Sequence, residues 1–141
     1  MANPRRMAAA MKKTLTAYIA ALLFLVVADG IWLGLLMPQQ YPAWIGPLMR
    51  AQPLLLPAAA FYLLYPVGVV VFAVLPALER TSWARAAALG ALLGLLAYGT
   101  YDLSNLATLQ GWPLQLTLVD MFWGSSLTAA AATAAFFAAR A

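Results

Sequence analysis

The sequence predicts an all-α membrane protein, a single antiparallel bundle of four transmembrane helices. Of its 141 residues, 65% are hydrophobic and 9% are charged, whereas a soluble domain carries about 25% charged residues. Four apolar segments, separated by short loops, each reach the ~20 residues needed to cross the hydrocarbon core. Backbone groups in lipid must be hydrogen-bonded within the protein, and segments of this length satisfy that requirement as helices.

The four predicted spans cover approximately residues 14–37, 53–78, 84–109 and 114–138. Before them, residues 1–11 form a basic, Ala-rich N-terminal tail, and residues 12–139 form the single transmembrane domain. The first apolar segment resembles a signal peptide. We interpret it as a retained span because the apolar run continues to Met37, well beyond a signal core of roughly 7–15 residues.

The first loop, residues 38–52, predicts a short helix lying in the membrane interface. Its apolar residues recur at helical spacing, at Tyr41, Trp44, Ile45 and Leu48. A Gly-Pro pair at residues 46–47 should break this helix. An aromatic membrane anchor is the favoured interpretation of the segment, and a lid over a site is the alternative.

The basic residues predict the orientation of the spans. With a cytoplasmic N-terminus, seven Lys and Arg residues fall on the inner side and Arg50 alone falls on the outer side. Cytoplasmic loops carry such an excess of Lys and Arg, so both termini are expected to be cytoplasmic. The net charge of +4 comes from residues that flank the spans, so we do not expect nucleic acid as a partner.

Two missing residue types exclude several kinds of chemistry. The chain contains no Cys and no His. Disulfides, thiolate or imidazole zinc sites, His-ligated haem and Ser-His-Asp triads are therefore excluded. The cofactor is unknown, and we expect neither haem nor zinc.

Three aspartates lie within the predicted spans, at Asp29, Asp102 and Asp120. With a rise of 1.5 Å per residue, each lies roughly 9–12 Å below the outer end of its helix. Antiparallel neighbours would therefore allow all three to face one cavity in the outer half of the bundle. A charged residue at mid-membrane costs about 2.5–3.5 kcal/mol on insertion scales, so such residues are functional candidates. The structural alternative is that these acids lock the helices together by hydrogen bonds.

Other polar and aromatic residues share faces with these acids. Asn105 and Tyr98 lie on the same helix face as Asp102. The motif Asp-x-x-Trp occurs in both the first and the last span. We interpret this recurrence as coincidence because these helices run in opposite directions. The candidate ligand- or ion-binding residues are Asp29, Asp102, Asp120, Asn105, Tyr98, Tyr101, Thr108, Trp32, Trp123, Tyr62, Tyr65 and Arg50.

If the site holds a metal, its ligands would be carboxylate and amide oxygens. The expected set is Asp29, Asp102, Asp120 and Asn105, which suits Mg²⁺ or Ca²⁺ better than zinc. No residue is assigned a catalytic role. Rows of Gly and Ala on the inner half of the spans predict close helix packing, and Gly30 and Gly34 are also candidates for a dimer contact.

Four motifs resemble a family of predicted bacterial membrane proteins known as domain of unknown function 2177. They are Asp29-x-x-Trp32-Leu-Gly34, Phe61-Tyr-Leu-Leu-Tyr65, Tyr98-Gly-Thr-Tyr-Asp-Leu-Ser-Asn-Leu-Ala-Thr-Leu109 and Asp120-x-x-Trp123-Gly124. The resemblance covers approximately residues 12–137, and Ser104 stands where the family pattern has Thr. It implies a four-span protein of the bacterial inner membrane and carries no activity with it.

Three functions agree with these observations. The first is binding or transport of a cation, a proton or a small polar or lipid-like ligand in an outward-facing acidic and aromatic pocket, with Asp102 as its essential residue. The second is a membrane-embedded enzyme acting on a lipid or isoprenoid, with an aspartate as general acid or base. The third is an accessory subunit of a larger membrane complex. The expected partners are the bilayer and a homo-oligomer or another membrane protein.

Overall fold

The structure, a computed structural model, describes residues 3–141. In this part of the chain all regular elements are helical, and four helices are long and apolar enough to cross a membrane. We call them the first to fourth spans, and their bounds are Pro4–Leu36, Leu55–Glu79, Trp83–Thr108 and Leu114–Arg140. The predicted fold class, a four-span helical membrane protein, is confirmed.

The first span begins earlier than the apolar pattern indicates. The Asn3 side chain caps the helix by accepting a 3.0 Å hydrogen bond from the backbone N–H of Arg5, and Pro4 occupies the first turn. Both residues favour a helix start. Much of the segment predicted as a tail, residues 1–11, is therefore helical, while residues 1 and 2 lie outside the described part. Hydropathy marks where lipid begins and does not mark where the helix begins.

Two widened turns interrupt the first and second spans. The last turn of the first span, Trp32–Leu36, and a mid-span turn of the second, Val70–Val74, are π-helical. A π turn inserts a residue and rotates the side chains that follow it, and such turns are frequent at functional sites. The first of these turns begins at Trp32, one of the predicted site residues.

The first loop contains the predicted short helix. It covers Gln40–Ile45 and ends in a 3₁₀ turn, Gly46–Leu48, so the break at the Gly-Pro pair is also confirmed. We call Gln40–Ile45 the loop helix. We call the end of the bundle that carries this helix and residues 109–113 the loop end.

The fourth span contacts each of the other three, as the second span also does. Its most extensive contact is with the third span. At Gly90 an added Cβ would lie 2.7 Å from the carbonyl oxygen of Thr128, and at Gly94 it would lie 2.7 Å from the hydroxyl of Thr128. The predicted close packing of small residues is confirmed at these positions. A Cβ at Gly34, in contrast, would have no neighbour within 4 Å.

The interior changes character along the bundle. Toward the chain termini it is filled by small side chains and one large ring, with Ala17, Ala21, Ala77, Ala131, Ala135 and Phe136 all fully buried. Toward the loop end, the buried side chains include Asp29, Asp102 and Thr117. The polar groups therefore gather at one end of a bundle that is tightly packed at the other.

Candidate functional site

Asp29 connects three of the four spans. The hydroxyl of Tyr62 on the second span donates to Oδ2 of Asp29 at 2.8 Å, and Nε1 of Trp123 on the fourth span donates to Oδ1 at 2.9 Å. The Asp29 side chain is 7% exposed. Both of its oxygens are thus engaged by protein donors, as expected for an acid that locks helices together.

The two Asp-x-x-Trp motifs meet at the centre of the site. The rings of Trp32 and Trp123 stack with centroids 4.2 Å apart and an interplanar angle of 6°. Trp123 donates directly to Asp29. Trp32 Nε1 donates to the hydroxyl of Tyr41 at 3.0 Å, and Tyr41 donates to Oδ1 of Asp120 at 2.6 Å. Each tryptophan is therefore linked by hydrogen bonds to the aspartate of the other motif. Trp123 donates to Asp29 directly, and Trp32 reaches Asp120 through Tyr41.

This approximate local two-fold arrangement corrects the interpretation of the recurrence as coincidence. Helices that run in opposite directions are related by a two-fold axis perpendicular to them. A motif repeated on two such helices can therefore meet its own copy. The shared spacing of three residues places each ring about one turn from its aspartate, which allows the indoles to stack between the acids.

Tyr41 brings the loop helix into the site. Burial raises the pKa of Tyr41 above its ordinary value, and its hydrogen bond to Asp120 acts in the same direction. A tyrosine hydroxyl is protonated at neutral pH even at its ordinary pKa of about 10, and this shift keeps Tyr41 a donor at higher pH as well. Because the spacing of Tyr41 and Trp44 in the sequence favours a membrane anchor over a lid, Tyr41 is absent from the predicted site residues.

Asp102 differs from the other two acids. It is fully buried, and neither carboxyl oxygen has a hydrogen-bond partner within residues 3–141. Among ionisable side chains, Asp120 has the strongest electrostatic interaction with Asp102. Buried polar groups are nearly always hydrogen-bonded, so this carboxyl group is an exception that needs a chemical explanation.

A cavity of about 410 Å³ lies beside Asp120. Its walls come from the second, third and fourth spans, and its lining residues are Phe61, Tyr65, Ala97, Tyr98, Tyr101 and Asp120. Phe61 is 40% exposed and Tyr101 is 55% exposed. The cavity therefore reaches the side of the bundle between the second and third spans.

Hydrogen bonds and ring contacts hold the wall of this cavity in place. The hydroxyl of Thr128 donates to the carbonyl oxygen of Gly124 at 2.7 Å. Because a hydroxyl carries one proton, the 2.8 Å contact between Tyr65 and Thr128 must be donated by Tyr65. The Tyr65 ring meets Tyr98 edge-on, with centroids 6.4 Å apart. Two of the aromatic walls are thus positioned by defined contacts.

Some predicted residues lie apart from these interactions. The Thr108 hydroxyl donates to the carbonyl of Ser104 in its own helix, at 2.7 Å. Arg50 is exposed, and no hydrogen bond within residues 3–141 links it to the aspartates. Asn105 is half-buried and neighbours Tyr101. The structure thus places Thr108 and Arg50 outside the site and Asn105 at its edge.

The structure does not bring the predicted oxygen ligands together as a metal centre. In the described part of the chain, no group of three acidic side chains is arranged to hold a metal ion. The oxygens of Asp29 are already engaged with Tyr62 and Trp123. Of the three intramembrane acids, Asp102 and Asp120 are therefore the two with carboxyl oxygens free to interact with a ligand or to exchange a proton.

Besides Tyr41, sequence reasoning misses two residues of the site. Phe61 lies one helical turn before Tyr65, and their rings stack with centroids 5.2 Å apart. Thr128 lies one turn after Gly124, within a row of small residues. The i, i+4 spacing could have indicated both residues, but it does not show which way each face points.

Comparison with known proteins gives one match. A family model described as predicted membrane protein, DUF2177, matches residues 14–137. No curated protein and no solved structure matches the chain. The matched range includes Asp29, Asp102 and Asp120 and reaches into all four spans. The chain therefore belongs to this family of predicted membrane proteins, domain of unknown function 2177.

Proposed function

We propose that this protein binds the ammonium group of an organic cation in the cavity beside Asp120. The observation that carries the proposal is the composition of the cavity wall. One carboxylate, Asp120, stands among four aromatic rings, those of Phe61, Tyr65, Tyr98 and Tyr101. Carboxylates and aromatic faces both attract organic cations in proteins.

The electrostatics of the cavity favour a cation. A cation within about 6 Å of an aromatic centroid gains roughly 0.5–1 kcal/mol at exposed sites and about 2 or more when desolvated. Between residues 86 and 139 the chain contains no Lys or Arg. Within residues 3–141, Tyr41 is the one hydrogen-bond donor to Asp120, and a bound cation would supply a positive charge.

The size and position of the cavity suit a ligand with an apolar part. Small-molecule pockets are usually about 300–1,000 Å³, and this cavity measures about 410 Å³. It opens between two spans, where Phe61 and Tyr101 face the surroundings of the bundle. An amine of an amphiphile or lipid headgroup could enter from the bilayer, and a free quaternary amine would share the same chemistry.

Thermal stability of the purified protein tests this proposal. Tetramethylammonium chloride should raise the unfolding midpoint more than NaCl at equal ionic strength, since a ligand at 100 times its Kd stabilises by about 2.7 kcal/mol. Asp120→Asn should lose this response. Asp29→Asn is the matched control, because Asp29 does not line the cavity. Equal responses in the wild type and Asp120→Asn would refute the proposal.

A second set of measurements distinguishes the two ligand sources. The protein is placed in nanodiscs with and without phosphatidylethanolamine, and its midpoint is compared with that of Asp120→Asn. Stabilisation by the amine lipid that depends on Asp120 would identify a headgroup site. A response to tetramethylammonium alone would identify a soluble cation as the ligand class.

An enzymatic function is the second candidate, favoured by the adjacent carboxyl groups of Asp102 and Asp120. Two neighbouring acids are suited to proton transfer on a lipid or isoprenoid. Cells with and without the gene, and cells complemented with Asp120→Asn, would be compared by lipid profile. A change restored by the wild-type protein but not by the variant would support this function.

We further propose that the protein lies in the bacterial cytoplasmic membrane with both termini inside, which turns the loop end outward. The support is the distribution of basic residues. Since the chain has no Cys, the variants Gln110→Cys and Thr81→Cys can be labelled in intact cells with an impermeant maleimide. Labelling at residue 110 alone is expected, and the reverse pattern would invert the topology.

A further inference from the structure

We propose that Asp102 is a neutral carboxylic acid that limits the Asp102–Asp120 pair to one negative charge. The site would therefore accept a monovalent cation and reject divalent metal ions. This inference rests on the proposed cation-binding function and names the role of a residue outside the cavity wall. Its first step, the protonation of Asp102, can be measured without any ligand.

The number of hydrogen-bond donors distinguishes the three acids. Asp29 receives two protein donors and Asp120 receives one, whereas fully buried Asp102 receives none. Hydrogen bonds to a carboxylate favour its charged form, and burial without them favours the neutral form. Of the three acids, Asp102 has the fewest hydrogen bonds to stabilise a negative charge.

The groups that face the pair provide no positive charge. Asp102 interacts electrostatically with Asp120 on the fourth span and with Tyr41 on the loop helix. It also interacts with Tyr101, which lies on the same span as Asp102. Asp29 on the first span acts on Asp120. From the second span, Tyr65 shares the cavity wall with Asp120. None of these groups is positively charged, so a second negative charge on the pair would not be neutralised by a neighbouring cation.

The neighbouring acid can accept the proton of Asp102. Oδ1 of Asp120 is bonded to Tyr41, and Oδ2 accepts no hydrogen bond within the described residues. A protonated carboxyl group gains one O–H donor. Donation of this proton to the adjacent Asp120 would leave the pair with one shared proton, as close acid pairs have.

The charge of the pair determines which cations it can hold. One ammonium ion neutralises a single negative charge. Ca²⁺ takes six to eight oxygen ligands, often carboxylates, and Mg²⁺ is bound through one or two carboxylates and retained waters. With the oxygens of Asp29 engaged elsewhere, the pair offers neither the charge nor the ligands. Asp102→Asn should therefore preserve ammonium binding, in contrast to the expectation that Asp102 is essential.

Infrared spectroscopy tests the protonation of Asp102 directly. The purified wild-type protein at neutral pH should show the carbonyl band of a protonated carboxylic acid. This band should be lost in Asp102→Asn and retained in Asp29→Asn. In Asp120→Asn it should persist at a shifted frequency, because its hydrogen-bond acceptor has changed. Absence of the band, or its persistence in Asp102→Asn, would overturn the inference and leave Asp102 ionised and solvated.

Cation titrations test the consequence. Tetramethylammonium should stabilise the wild type and Asp102→Asn with Kd values that agree within about threefold. MgCl₂ should have no effect beyond that of ionic strength in either protein. A folded Asp102→Asn variant that no longer responds to tetramethylammonium would refute the charge-limiting role. No ammonium response in any protein would refute the cation function, whereas the infrared result would still decide the state of Asp102.

Discussion

Gly94→Ala tests whether close contact between the third and fourth spans positions the acid pair. A Cβ at Gly94 would overlap the carbonyl oxygen of Gly124 and lie 2.7 Å from the hydroxyl of Thr128. Neither neighbour can yield easily. The Thr128 hydroxyl is bonded to both Gly124 and Tyr65, and the Gly124 carbonyl is part of a helix. The two helices must therefore move apart.

The required movement sets the size of the effect. An ordinary contact of a Cβ begins near 3.4 Å, so the helices would have to separate by roughly 1 Å. Such overpacking typically costs about 1–3 kcal/mol. The 2.9 Å hydrogen bond from Ser125 to the carbonyl of Ala91 crosses the same interface, and its loss in membrane would add about 0.6 kcal/mol. We expect Gly94→Ala to lower the free energy of unfolding by roughly 2 kcal/mol.

Equilibrium unfolding in mixed micelles measures this difference, with Gly34→Ala as the matched control. Both substitutions replace a helical glycine, but a Cβ at Gly34 meets no atom within 4 Å. Because Ala favours helix over Gly by up to about 1 kcal/mol, the control should be neutral or more stable. If the two variants had equal unfolding free energies, the proposed contact between the spans would be refuted. Loss of the ammonium response in Gly94→Ala alone would tie this packing to the site.

Three further substitutions probe single contacts. Tyr41→Phe removes the donor to the half-buried carboxyl group of Asp120 and should destabilise the protein by about 1 kcal/mol, the net value of one hydrogen bond; an unchanged unfolding midpoint would contradict this. Trp123→Phe keeps a stacked ring but removes the donor to Asp29, so a double-mutant cycle with Asp29→Ala, which removes the acceptor, should give a coupling of about 0.6–1.7 kcal/mol, and zero coupling would exclude the bond. Thr81 has a φ of 49°, which costs a residue with a Cβ about 1–2 kcal/mol. Thr81→Gly should therefore raise the unfolding midpoint, and a lower midpoint would show that the Thr81 side chain compensates for this strain.

Much of the fold could be predicted from the sequence because lipid imposes a simple rule. The lengths of the apolar segments give the number of spans, and the second to fourth spans begin and end within two residues of their predicted limits. The first span is the exception, since its start depends on the local cap at Asn3. The loop helix could be predicted for a similarly local reason, the spacing of Tyr41 and Trp44 before a Gly-Pro pair.

The site was harder to predict because it depends on how the helices rotate about their axes. Spacing along one helix shows that Asp29 and Trp32 share a face, but it does not identify the partner of that face. The stack of Trp32 on Trp123 and the bond from Tyr41 to Asp120 arise between elements far apart in sequence. The π-helical turn beginning at Trp32 also rotates the side chains that follow it, and a prediction based on an ideal α-helical period does not include this rotation.

The sequence places the three intramembrane acids at one depth and gives the central role to Asp102, whereas the structure distinguishes them by their neighbours. Asp29 has two donors from two other spans, so its charge is compensated and it connects helices. Asp120 has one donor and reaches the cavity, so its charge is partly available to a ligand. Asp102 has no donor and lies beside Asp120, so a proton is the simplest compensation for it. The three acids have the same residue type and lie at a similar depth, so we assign their roles from the number of hydrogen-bond donors to each. Substitution of each Asp by Asn should consequently give three different phenotypes.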